Sequence, residues 1–231
     1  MRSGRPGQAI GAYAVGKKVF QVQAGLTDNN FSSENPLIVV NDEEWQHITV
    51  LRYGLTEQLE VSGVLGGQFG DDVTSGINNT QIGLRYNFFG NEGARPAVDL
   101  QARLLLPVGK DEIERPELGT RFILGTGNSL TDRLSLSTNL GLTVGENIDP
   151  IKFYALALGF SITDQLGAFV EIYDNFQEFG NIEVDFDTGL GYMINNDLKL
   201  DVSVGWQDNV GTERNNFFVD FGVSFRFHDR E

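Results

Sequence analysis

The sequence predicts a closed antiparallel β-barrel of about twelve strands that spans a membrane. Three observations support this fold class. Apolar and polar residues alternate along most of the 231-residue chain, short turns alternate with long connections, and aromatic residues recur along the last strand. No apolar run of about 18 residues occurs, so the sequence predicts no transmembrane helix.

The alternation is clearest in segment 134–144. Leucine, threonine and valine occupy one face there, and serine, asparagine, glycine and threonine occupy the other. In segment 182–192, Phe186 and Tyr192 share an apolar face, whereas Asp185 and Asp187 lie on the opposite face. Charged side chains on one face need water or counter-charges. We therefore expect the polar face to line a wet lumen and the apolar face to contact outer-membrane lipid.

Along the whole chain this pattern predicts twelve strands. They are 18–27, 45–55, 59–69, 79–88, 95–106, 119–129, 134–144, 151–162, 166–173, 181–192, 198–207 and 216–227. Most are about 9–12 residues long, as a tilted strand needs to cross a bilayer. The predicted barrel occupies residues 18–227, between a periplasmic lead-in segment, 1–17, and a C-terminal tail, 228–231.

The short turns share a pattern. An apolar residue precedes Thr or Asn, and two polar residues precede the apolar residue that begins the next strand. Thr56, Thr131, Thr163 and Asn195 occupy the Thr or Asn position. Their side chains can bond nearby backbone groups and favour tight turns. Short turns on one side and long loops on the other are typical of outer-membrane barrels, and an even strand number places both termini on the short-turn side, predicted to be periplasmic.

The last strand resembles the signal by which outer-membrane proteins are recognised for barrel assembly. Asp220, Gly222, Phe225 and Phe227 occupy its polar, glycine, apolar and aromatic positions in order. The resemblance implies that the barrel-assembly machinery is a partner during biogenesis.

A soluble all-β protein is the alternative. About eight strands enclose a lumen that side chains just fill, so twelve strands would leave too wide an interior for an apolar core. Aromatic residues also cluster towards strand ends, as in interfacial girdles. The predicted bands are Phe20, Tyr53, Phe88, Phe160, Tyr192 and Phe227 on the short-turn side, and Trp45, Phe69, Tyr173, Trp206 and Phe217 on the other. The membrane barrel is favoured.

The N-terminal stretch links the chain to a family. Arg5-Pro6-Gly7-Gln8, the following stretch 15–25, the repeated turns and the aromatic last strand resemble a family of outer-membrane transporters named for a phenol meta-cleavage degradation pathway. The resemblance implies a barrel of this size and passage of small, including aromatic, compounds.

Charges on the predicted lumen face are segregated. The basic wall comprises Arg52, Arg85, Arg103 and Arg121. The acidic wall comprises Glu171, Glu183, Asp185, Asp187, Asp201 and Asp220. Lys199 and Arg226 interrupt the acidic wall, and Glu60 and Asp99 interrupt the basic wall.

Two functions remain open on this pattern. One is a channel or transporter in which a transverse field orients a polar or zwitterionic solute. The other is a non-conducting barrel whose charges pair across the lumen, acting as a structural or accessory subunit beside an envelope protein partner. Ala24 and Gly63, small residues on the outer face, would let such a partner approach.

Other functions are disfavoured. The net charge of −15 argues against nucleic acid as a partner. The absence of cysteine excludes thiolate chemistry. His47 lies near Glu43 and Glu44, with no serine nearby in sequence to form a nucleophile–base pair. We expect no enzyme activity, no catalytic residue, no metal site and no cofactor.

Overall fold

The computed structural model describes residues 1, 3–33, 43–70, 74–109, 117–145, 148–177, 184–208 and 214–228. Within these ranges the chain forms twelve strands, and the predicted fold class is confirmed. They are β1 Val19–Ser33, β2 Glu43–Gly54, β3 Leu59–Gly70, β4 Gly76–Phe89, β5 Ala97–Leu106, β6 Gly119–Ser129, β7 Leu134–Gly145, β8 Ile148–Ser161, β9 Leu166–Phe176, β10 Asp185–Asn195, β11 Leu198–Asp208 and β12 Arg214–His228. Each pairs antiparallel with its neighbours, and β1 closes against β12. Closure removes the exposed sheet edge.

The two faces of the barrel differ as the alternation predicts. Leu140 is 57% exposed and Ile82 is 59% exposed on the outer face, whereas Asn139 and Thr143 are 0% and 1% exposed on the inner face. A continuous outward apolar surface of this kind suits lipid rather than water. Among the described residues, no helix is both long and apolar enough to cross a membrane.

The predicted turn mechanism is confirmed. Thr56 Oγ1 accepts hydrogen bonds from the backbone N–H groups of Gln58, at 3.1 Å, and Leu59, at 2.9 Å. Thr131, Thr163 and Asn195 bond the backbone two and three residues ahead in the same way. One side-chain oxygen thus satisfies two turn N–H groups, which explains why the pattern recurs.

Some strands extend beyond their predicted ends. β1 continues to Ser33, through Asp28, Asn29 and Asn30, because it stays paired with β12 up to Ser33–Arg214. Polar residues of this kind are typical of loops, and only their pairing with the neighbouring strand makes them part of a β-strand.

β12 extends one residue past its predicted end, because His228 pairs with Val19. His228 Nε2 lies 2.9 Å from Asp197 Oδ1 in the β10–β11 turn, and Arg226 Nε lies 3.1 Å from the same oxygen. The hydrogen bond from His228, helped by Arg226, lowers the pKa of the Asp197 carboxyl below its ordinary value.

One predicted girdle residue is wrong. Tyr173 is 1% exposed and faces the lumen. Together with Phe153 and Ala155 it forms a small buried apolar cluster, against which Ala9 of the N-terminal segment packs. The lumen therefore contains a small apolar cluster in addition to its charged side chains.

Candidate functional site

Residues 3–16, here called the inner segment, cross the lumen. The described part of this segment belongs to no strand. Side chains of the barrel wall hold it instead, so its position does not depend on the β-ladder. The structure places residues 3–16 of the predicted lead-in segment inside the lumen. The division of the chain into three parts stays a prediction.

The late-strand side of the lumen binds backbone N–H groups of the inner segment. Glu171 accepts a hydrogen bond from Gln8 N at 2.7 Å and another from Ala9 N. Asn139 Oδ1 accepts from Ile10 N at 2.6 Å, while its Nδ2 donates to Ile10 O at 3.0 Å. Gly7 has a φ of +88°, and a Cβ there would lie 2.4 Å from Glu171 Oε2, so this close approach requires glycine.

The early-strand side binds backbone carbonyls. Arg85 Nη1 donates to Gly11 O at 3.0 Å and to Tyr13 O at 2.6 Å, and Arg52 Nη2 donates to Tyr13 O at 3.0 Å. Asn87 Nδ2 donates to Ala12 O at 2.7 Å. Arginine donors on one side of the lumen therefore bind backbone carbonyls of the inner segment, and a carboxylate acceptor on the other side binds its backbone N–H groups.

Two acids on the early strands neutralise these arginines. Glu60 accepts from Arg52 Nε at 2.7 Å, from Arg52 Nη2 at 2.8 Å and from Val15 N at 2.9 Å. Arg85 Nε lies 3.3 Å from Asp99 Oδ2. The residues that interrupt the predicted basic wall thus form a buried ionic cluster with it, and such a cluster is tolerated because its members are paired and hydrogen-bonded.

Arg5 brings a positive charge to the acidic side. It pairs with Asp220 and lies 3.2 Å from Asp201 Oδ1. Its backbone carbonyl accepts a hydrogen bond from Lys199. Arg5 fits there because Gly222 faces it, where a Cβ would lie 2.3 Å from Arg5 Nε. Arg5 and Asn139 belong to the candidate site, although the sequence pattern did not indicate them.

The remaining predicted site residues lie as follows. Arg103 and Arg121 are half-buried above the inner segment, Asp187 is 2% exposed beside Glu171, and Asp185 is half-buried opposite Tyr173. Glu183 lies outside the described residues. In the predicted assembly signal, Asp220 and Gly222 face the lumen, whereas Phe225 and Phe227 are 37% and 51% exposed on the outer face. That signal stays a prediction.

A cavity of about 470 Å³ lies over the inner segment. The segment contributes Gly4, Arg5, Gly7, Gln8 and Ile10 to its lining. The wall contributes charged side chains of both signs, amides and a few apolar side chains, among them Arg103, Arg121, Asp187, Gln81, Ile123 and Phe153.

His47 makes no hydrogen bond or ion pair with any other described residue. The described residues also contain no group of three His, Asp or Glu side chains placed to hold a metal ion.

Three solved structures are similar to this barrel. An outer membrane channel from Pseudomonas putida F1 has a TM-score of 0.72 and 10% identity, covering 96% of this chain and 99% of its own. The KdgM porin in complex with disordered oligogalacturonate has a TM-score of 0.60 and 13% identity, covering 89% and 99%. The TodX deltaS2S3 mutant monoaromatic hydrocarbon channel has a TM-score of 0.52 and 9% identity, covering 94% and 92%. These likenesses show the fold of an outer-membrane barrel.

Sequence comparison adds one finding. The family described as "Putative MetA-pathway of phenol degradation" matches residues 3–227, so the resemblance inferred from the N-terminal stretch and the turns is confirmed. No curated protein matches the chain.

Proposed function

Since the chain belongs to the family described as "Putative MetA-pathway of phenol degradation", we propose that it is an outer-membrane channel for small solutes, closed at rest by the inner segment. The observation that carries the proposal is the way this segment is held. It crosses the lumen through side-chain contacts of β1–β4, β7, β9, β11 and β12, outside the β-ladder. It can leave without breaking a strand pair, and water can then solvate the wall groups that it releases.

The charges of the lumen support a polar path. The fold neighbours do not select a solute, because one is a porin in complex with oligogalacturonate and another is a monoaromatic hydrocarbon channel. In this chain Arg103 and Arg121 lie on one side of the path, and Glu171 and Asp187 lie on the other. A transverse field between such walls would orient a polar or zwitterionic solute. Both termini are proposed to be periplasmic, since the short turns lie at their end of the barrel.

Deleting residues 2–14 tests the proposal. The variant keeps Val15, which bonds Glu60, and every strand. We expect a several-fold larger single-channel conductance in planar bilayers than for the full chain, because the lumen loses its only described backbone crossing. Uptake of glycine and arabinose in liposome swelling should rise in parallel.

The control is the position of the folded band on a gel before and after heating, which reports barrel folding independently of conductance. A folded deletion variant with no channel events and no solute uptake would contradict the channel function. Co-purification of a stoichiometric envelope protein with the full chain would then favour an accessory subunit.

A further inference from the structure

Two arginines stand side by side above the inner segment. Arg103 of β5 and Arg121 of β6 are direct register partners and lie on the lumen face, both half-buried. Arg103 is the next inward-facing residue after Gln101 on β5, and Gln101 is the register partner of Arg85. The pair therefore lies nearer than Arg85 to the end of the barrel where residues 107–118 connect β5 and β6. Two like charges held together in a partly desolvated lumen repel each other.

Neutral groups, not carboxylates, receive the hydrogen bonds of Arg103. Its Nη2 donates to Gln101 Oε1 at 3.0 Å, and its Nη1 lies 3.5 Å from Gln81 Oε1. Its Nε is buried and has no hydrogen-bond partner in the described part of the chain. No described carboxylate lies within ion-pair distance of Arg103. Arg52 and Arg85, by contrast, are neutralised by Glu60 and Asp99.

Apolar groups lie next to the pair. The guanidinium of Arg121 is 6.0 Å from the centre of the Phe153 ring, and its Nε donates to Thr143 Oγ1 at 2.8 Å. Ile123 and Phe153 line the same cavity of about 470 Å³ as both arginines. Its size and mixed lining are those of a small-molecule site.

We propose that Arg103 and Arg121 bind the carboxylate of a small organic acid, whose apolar body lies against Phe153 and Ile123. The planar forks of arginine match a carboxylate, and an anion beside Arg103 would supply the charge partner that this arginine lacks among the described residues. An acid without an ammonium group fits better than a zwitterion, because the ammonium group of a zwitterion would lie close to the two guanidinium groups. The inference deepens the proposed channel and rests on it only for the path that brings the solute to the site.

Calorimetric titration of the purified full chain in detergent tests the site directly. The probes are benzoate, its uncharged isostere benzamide, and zwitterionic phenylalanine. Benzoate should bind. Benzamide should bind about tenfold more weakly or worse, because a charge-assisted pair contributes more than a neutral hydrogen bond. Phenylalanine should also bind more weakly, because its ammonium group would lie next to the two guanidinium groups and be repelled by them.

Three substitutions at the two arginines locate the binding. Arg103→Gln and Arg121→Gln should each weaken benzoate binding about tenfold or more, and Arg103→Lys should keep part of the affinity. Arg95→Gln is the matched control, since Arg95 is 54% exposed and pairs with Glu92 in a turn. Gel mobility checks that each variant is folded, and if Arg103→Gln does not fold, Arg121→Gln carries the test.

The outcomes separate this site from the channel. Benzoate binding without conductance in the deletion variant would support the site and contradict the channel. No benzoate binding, equal binding of benzamide, or equal weakening by Arg95→Gln would overturn the site, even if the deletion variant conducts.

Discussion

Ala12→Cys combined with Gly127→Cys is expected to lock the inner segment in the lumen and to abolish channel openings until a reductant is added. Ala12 is fully buried, and a Cβ at Gly127 would lie 3.8 Å from the Cβ of Ala12. Disulfides typically join Cβ atoms about 3.8 Å apart. The space at Gly127 is open enough, since the nearest atom to that Cβ would be 3.6 Å away, on Tyr13.

Because the parent chain contains no cysteine, every thiol of this variant comes from one of the two substitutions. In the oxidised double variant, thiol labelling under denaturing conditions should find no free thiol, and a reductant should expose both. Conductance should be lost in the oxidised form and return on reduction. Each single variant, with the same side chain but no partner, should conduct like the parent under both conditions.

Two results would contradict the prediction. Free thiols that persist after oxidation would mean that Ala12 does not lie against Gly127. Complete oxidation with unchanged conductance would mean that the segment is not the gate, and would leave its position in the lumen intact.

The outward face and the turns were predictable because their causes are local. Leu140 and Asn139 differ in direction only through the two-residue period of a strand, and Thr56 bonds groups two and three residues ahead. Both signals lie within a few residues of sequence, so a single chain suffices to find them.

The inner segment was not predictable in this way. Gln8 bonds Glu171 and Ile10 bonds Asn139, across 163 and 129 residues of sequence respectively. The segment has no periodicity, because its backbone polar groups are satisfied by distant side chains and not by a ladder. One signal was present: Gly25 and Gly222 are register partners, and together they leave room on the lumen face for Arg5.

The position of the inward-facing aromatic residue Tyr173 was predicted wrongly for a related reason. The alternation assigns polar residues to the lumen, which holds where the lumen contains water. Tyr173 faces inward because it lies two residues after Glu171 on β9, and Ala9 of the inner segment packs against the cluster that contains it. The rule that twelve strands leave an unfilled interior is correct for side chains alone. Here the inner segment occupies part of the space that side chains leave unfilled.

Glu60→Gln is expected to release the inner segment without unfolding the barrel. Glu60 is 2% exposed, and its carboxylate receives three hydrogen bonds, two from Arg52 and one from Val15 N. Glutamine keeps one acceptor oxygen but turns an amide towards the arginine. Truncating one partner of a buried, hydrogen-bonded charge pair costs about 2–5 kcal/mol, and here we expect that loss to fall on docking of the segment.

The measurement is the labelling rate of Ala12→Cys by a thiol reagent in the folded protein. Ala12 is inaccessible while the segment is docked, so the rate reports the fraction of time that the segment is released. A loss of about 2 kcal/mol corresponds to a roughly 30-fold faster rate. Conductance should rise in the same direction.

Glu92→Gln is the matched control, because Glu92 makes the same kind of contact, 2.9 Å to Arg95, with 81% of its side chain exposed. An exposed pair contributes about 0–1 kcal/mol, so labelling should hardly change. Equal rates in the two variants would mean that the buried ionic cluster does not hold the segment, and that Glu171 and Asn139 suffice. A faster labelling rate only for Glu60→Gln would show that Glu60 controls access to the lumen. Glu60 is one of the two acids that interrupt the basic wall.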